Sequence, residues 1–128
     1  MPRFVLLKHA FPDDCPRATH WDLMLESDCT LRTWALEDEP STGVETSAMR
    51  LADHRLAYLD YEGEVSGGRG TVTRVDQGSF AVIQEDAGSL QVALYGERLL
   101  GTVTLTRRKF DQWRLVFAAG RAADSPAF

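Results

Sequence analysis

The chain has 128 residues, 44% hydrophobic and 26% charged, a balance that suits one ordinary globular domain. No apolar run approaches the roughly eighteen residues that cross a bilayer, and the stretch from Met1 to His9 is too short in apolar residues for a secretory signal, so a cytoplasmic location without a membrane partner is expected. The net charge of −5 argues against tight non-specific binding to duplex nucleic acid, which is driven by phosphate neutralisation and counterion release. Transient contact with a phosphate terminus stays open. Almost all the positive charge is arginine, which suits bidentate phosphate contact.

Taken in chain order, the sequence reads as short period-2 segments separated by turns. A first strand ends at His9. In His20-Trp21-Asp22-Leu23-Met24-Leu25-Glu26, Trp21, Leu23 and Leu25 share one face, and His20, Asp22, Met24 and Glu26 the other. Glu26-Ser27-Asp28-Cys29 turns the chain into a strand in which Leu31, Thr33 and Ala35 alternate with Arg32, Trp34 and Leu36. The stretch Glu45 to Tyr61 is ambiguous, because Met49, Leu51, Leu56 and Leu59 also fit a partly helical pattern. Gly67-Gly68-Arg69-Gly70 precedes a strand at Thr71 to Val75, and Asp76-Gln77-Gly78 reads as a turn into Ser79 to Gln84. Asp86-Ala87-Gly88 leads into Ser89 to Tyr95, and Gly96 to Gly101 into a threonine-rich strand around Thr102, Thr104 and Thr106. A last strand is expected over Gln112 to Ala118. The expectation is an all-β, compact single-domain β-barrel spanning 1–128, with a polar pocket, one short helix and a loose tail over about 119–128.

Cys15 and Cys29 lie in no Cys-x-x-Cys pair and are expected to be free thiols. The glycine loop lacks the lysine and following helix of a phosphate loop. The chemistry must therefore come from elsewhere, and the three histidines are the place to start. His20 and Asp22 stand two apart in a strand, so both point the same way and can offer one metal ion a nitrogen and an oxygen. If the strand ending at His9 is a neighbour, His9 completes a two-histidine, one-carboxylate set. Alone, His-x-Asp is a weak signal, and a surface histidine beside an acidic strand residue is the plainer alternative.

The wider pattern resembles the 3′-phosphoesterase domain of bacterial DNA ligase D. Lys8-His9, then His20-Trp21-Asp22-Leu23-Met24-Leu25-Glu26, then Leu31-Arg32-Thr33-Trp34-Ala35-Leu36 follow the family's order. So do Asp53-His54-Arg55-Leu56-Ala57-Tyr58, Asp60-Tyr61-Glu62-Gly63, Gly70-Thr71-Val72 and Tyr95-Gly96-Glu97-Arg98-Leu99-Leu100-Gly101. The resemblance implies a compact barrel that uses manganese to remove a 3′-phosphate at a DNA end. It implies His9, His20 and Asp22 as metal ligands, with His54 and Tyr58 as catalytic contacts to the scissile phosphate. DNA 3′ ends or a smaller phosphoester would be the substrate, and a DNA-repair protein a possible class of partner.

The departures fall on phosphate contacts. Met24 stands where the family has a phosphate-binding arginine, and Glu37-Asp38-Glu39 where it has a basic residue. The spacer between His9 and His20 is longer than in the family, and the family's N-terminal arm is expected to be missing. Arg17, in that spacer, and Arg69, in the glycine loop, are candidates to replace the lost arginine, against the plainer alternative that both are solvated. Two functions follow: a metal-dependent phosphoesterase, or a catalytically degenerate barrel that binds a metal, an anion or a protein partner.

Overall fold

The computed structural model describes residues 1–120, so the part of the expected tail over 121–128 lies outside the described residues. The elements are β1 (Arg3–Ala10), β2 (His20–Ser27), β3 (Thr30–Leu36), β4 (Glu45–Arg55), a 3₁₀ turn (Leu56–Leu59), β5 (Gly63–Glu64), β6 (Thr71–Asp86), β7 (Ser89–Gly96), β8 (Leu100–Lys109) and β9 (Gln112–Ala119). The strands form one antiparallel sheet in the order β1-β2-β3-β4-β9-β8-β7-β6-β5, and β1 also pairs with β6. That last pairing closes the sheet into a barrel-like ring, with β5 an added ribbon on β6. Closure removes the unpaired edges that an open sheet would present. Among the described residues no helix is long and apolar enough to cross a membrane.

Alternation sorts the side chains into two clusters. Phe4, Leu6, Leu23, Leu25, Trp34 and Leu36 point inward and meet Phe80, Leu94, Leu105 and Phe117 from the far wall. Each such side chain, fully withdrawn from water, contributes roughly 1.5–3 kcal/mol. Val5, Leu7, Met24 and Leu31 point outward from the same strands, yet they too are buried. The 3₁₀ turn and the segment after it cover them, through Leu56, Tyr58, Leu59 and Val65. The ambiguous stretch thus resolves into a strand to Arg55 and one short turn whose apolar residues cap the outer face.

One expected turn is not a turn. Asp76-Gln77-Gly78 lies inside β6, where the strand exchanges β1 for β7 as its partner. Gly78 is needed for close approach: a Cβ there would stand 2.1 Å from the Tyr95 carbonyl oxygen. Asp76 points inward and is 2% exposed. Its Oδ1 accepts the amides of Gln77 (2.9 Å), Glu97 (2.9 Å) and Arg98 (3.1 Å), and its Oδ2 that of Leu99 (2.7 Å). The carboxylate therefore pins the Gly96–Leu99 turn to β6, and a turn-forming residue by type serves instead as an acceptor for another turn's backbone.

Candidate metal centre

The site is built on the outer face of β1 and β2. Their antiparallel register sets His9 opposite His20 and Leu7 opposite Asp22. Directly opposed residues share a face, so the two imidazoles meet across the strands and Asp22 lies one step along. His20 Nε2 stands 3.1 Å from Asp22 Oδ1, and His9 Nδ1 stands 3.5 Å from Asp22 Oδ2. The three candidate ligand atoms all fall within 4.8 Å of one another. Asp22 is 3% exposed, and the histidines are half-buried.

The glycine loop finds its role here. The Arg69 carbonyl accepts a hydrogen bond from His9 Nε2 at 2.5 Å. A donor at Nε2 leaves Nδ1, on the Asp22 side, with its lone pair. Gly70, at φ +83°, lets the loop close on β1, because a Cβ there would lie 2.3 Å from the Ala10 carbonyl oxygen. Phe11 stacks on the other side of His9, with ring centroids 4.6 Å apart. His9 is thus fixed by a carbonyl and a ring before any ligand arrives.

The charges are arranged for a cation. Burial opposes the ionisation of Asp22, but the adjoining His20 and His9 more than offset it and hold the carboxyl below its ordinary pKa of 3.8. Contact with Asp22 raises His9 above 6.5, against the opposing effect of burial. Oδ1 of Asp22 is buried and has no hydrogen-bond partner, because the close approach of His20 is not aligned as a bond. An unsatisfied buried polar atom costs about 1–3 kcal/mol, more for a charged group. Two imidazole nitrogens and a carboxylate, with the carbonyl-bound far side of His9, form a donor set suited to a divalent transition metal. The residues present therefore fit such an ion.

The other candidate residues are placed differently. His54 and Tyr58 stand together, edge to face at 5.7 Å, and His54 Nδ1 donates to the Ala52 carbonyl at 2.9 Å. Among the described residues, no hydrogen bond, ion pair or ring contact joins that pair to the triad. Tyr58 also packs on the outer cluster and lines an open cleft of about 770 Å³ that begins at Ala10 and Phe11, beside His9. The Arg17 guanidinium lies 5.4 Å from the centre of the Phe11 ring, close enough to His9 to oppose its protonation. The Arg69 side chain folds back on Ser66, with Nε 2.7 Å from its carbonyl oxygen, so Arg69 touches the triad by its backbone. Met24 is 1% exposed and packs in the outer cluster. Exposed Glu37, Asp38 and Glu39 leave the end of β3 whose Leu36 pairs with Trp21, next to His20.

Two contributors went unread in the sequence: Phe11 and the Arg69 carbonyl. Phe11 was legible in principle, since it stands two residues after His9, the spacing of one strand face. A backbone acceptor leaves no trace in residue types.

The sequence pattern of the DNA Ligase D 3′-phosphoesterase domain matches residues 12–107, a span that holds His20, Asp22, His54 and Tyr58 but not His9. The chain belongs to this family. The multifunctional non-homologous end joining protein LigD of Pseudomonas aeruginosa is 34% identical over 137 aligned positions, which cover 96% of this chain and 16% of that protein. LigD of Mycobacterium tuberculosis, a multifunctional non-homologous end joining DNA repair protein, is 32% identical over 106 positions, covering 76% of this chain and 14% of its own length. The chain thus spans a small part of these LigD relatives. Membership supports a phosphoesterase-like role in end processing.

Proposed function

We propose that this chain is a divalent-metal-dependent phosphoesterase, with manganese as the metal, that removes phosphate from a DNA 3′ end or from a smaller phosphoester. The observation that carries the reading is the buried, unpartnered Oδ1 of Asp22 between two histidines. His9, through Nδ1, His20, through Nε2, and Asp22 would hold the ion. The chemistry it supplies is polarisation of a phosphoryl oxygen and a water acidic enough to attack near neutral pH. Tyr58 offers a hydroxyl donor to the phosphate. His54, with Nδ1 donating to the Ala52 carbonyl, turns Nε2 toward the leaving oxygen, to which its imidazolium form would give a proton. Arg17, beside Phe11 and near His9, supplies positive charge in place of the arginine that Met24 has replaced. Its relatives' names speak for a DNA-repair setting; a cytoplasmic location and a repair protein as partner belong to the same proposal.

Met24 favours a second reading. A buried methionine cannot pair with an oxyanion, and the acidic Glu37-Asp38-Glu39 loop beside His20 repels polynucleotides. Both fit a degenerate barrel that binds a metal, an anion or a protein without turnover.

The test is phosphate release from a 3′-phosphorylated primer on a template, with and without manganese, alongside calorimetric titration of manganese into the protein. Release that needs manganese and is lost in His20→Ala is the expected result. Manganese binding without release at high enzyme concentration gives the second reading. Absence of manganese binding overturns both metal-dependent readings.

A further inference from the structure

The cleft beside the triad has a lining that the phosphoesterase reading does not use in full. Phe11 forms one side of it, and Tyr58 and Tyr61 another, their rings edge to face at 5.8 Å. Gly67 and Gly68 also line it and add no side chain of their own. Tyr61 is held in place by a hydrogen bond from its hydroxyl to the Glu64 carbonyl. The cleft volume of about 770 Å³ lies in the range of small-ligand sites and is enough for a nucleoside.

Charge is distributed to match. Arg3, Arg32, Arg50, Arg74, Arg98, Arg108 and Arg114 each have a carboxylate within 4.0 Å. Arg55, which lines the cleft, and Arg17, over Phe11, have none among the described residues; nor have Arg69 and Arg107, which bond to backbone carbonyls instead, or Lys8 and Lys109. On a chain with net charge −5, cations left unneutralised beside three aromatic rings mark a place for an anion that carries a π-system. Glu64 is the one carboxylate among the lining residues.

We propose that this cleft is a subsite for an unpaired terminal nucleotide, whose base stacks among Phe11, Tyr58 and Tyr61 and whose neighbouring phosphate meets Arg55 and Arg17. The proposal rests on the phosphoesterase reading for one point, that the bound nucleotide carries the reacting phosphate. A base held this way must offer its faces, which a paired and stacked end does not. The site therefore selects frayed or single-stranded ends, and it does so without base identity, because every base has a stacking face.

The test needs no turnover. A trithymidylate ending in a 3′-hydroxyl and an abasic trimer of equal charge are titrated against the manganese-loaded protein. The trithymidylate should bind roughly 5- to 100-fold tighter, the range expected when one or more bases stack on protein rings. Phe11→Leu and Tyr61→Leu, which keep apolar bulk but remove the ring, should each shrink that difference, and Arg55→Ala should weaken both trimers. A hairpin duplex with a mismatched last base should bind tighter than its fully paired counterpart. Equal binding of the two trimers overturns the proposal, as does a preference unchanged in both leucine variants, or a paired end that binds as well as the frayed one. Base-dependent binding without phosphate release in the turnover assay would leave the subsite standing and remove the phosphoesterase reading.

Discussion

Two aspartates of this barrel are almost wholly buried, and their surroundings are opposites. Asp76, on the inner side of β6, gives both oxygens to backbone amides and holds one turn in place. Asp22, on the outer face of β2, has two histidines beside it and one oxygen with no partner. Burial alone therefore does not mark a functional carboxylate. What marks it is a buried charge whose hydrogen-bonding capacity is left open toward other ligand atoms.

The largest expected effect tests the satisfied carboxylate. Asp76→Ala leaves four amides without their acceptor, and should lower stability by about 3–5 kcal/mol in urea unfolding, while folded protein binds manganese as before. Next is the open one. Asp22→Asn should weaken manganese binding at least about 100-fold by titration calorimetry, more than the loss usual when only an outer partner of a ligand is removed. If Asp22→Asn bound manganese normally, the contrast between the two aspartates would collapse.

Met24→Arg sharpens the comparison along the same face. An arginine there must leave the apolar cluster of Leu7, Leu31 and Tyr58, so unfolding should cost about 1–3 kcal/mol less. Affinity of the manganese-loaded protein for inorganic phosphate should rise roughly tenfold, the return of one charge-assisted contact. Unchanged phosphate affinity would mean that this position no longer faces the anion site.

The smallest effect is a pH dependence of the metal-free protein. Asp22 has a lowered pKa, so its contribution is present above about 3.8 and is lost as pH falls through the folded value. His9 has a raised pKa, so its contribution is complete below about 6.5 and is lost as pH rises through the folded value. The pair stabilises most between those limits. His9→Gln should lower Tm in chelator by roughly 2 °C more near pH 5.5 than near pH 8.5. An equal loss at both would remove the ionic coupling between His9 and Asp22.

The alternation of Trp21, Leu23 and Leu25 with His20, Asp22 and Met24 determined which side chains share a face, because a strand repeats every two residues wherever it lies in the fold. With the spacing of the histidine motifs it also determined the all-β class and the family. The boundaries around Asp76-Gln77-Gly78 were not legible, since the residue types that favour turns also serve a strand where backbones crowd and a carboxylate caps a distant loop. Nor could residue spacing say that the outward face of β1 and β2 would be covered as far as Met24 and left open at the histidines. Only the tertiary structure decided the register that sets His9 against His20, the carbonyl that orients His9, and the unpartnered oxygen of Asp22. The physical reason is range: strand periodicity is set by neighbours in the chain, whereas register, cover and hydrogen-bond satisfaction are set by segments that meet only when the ring closes.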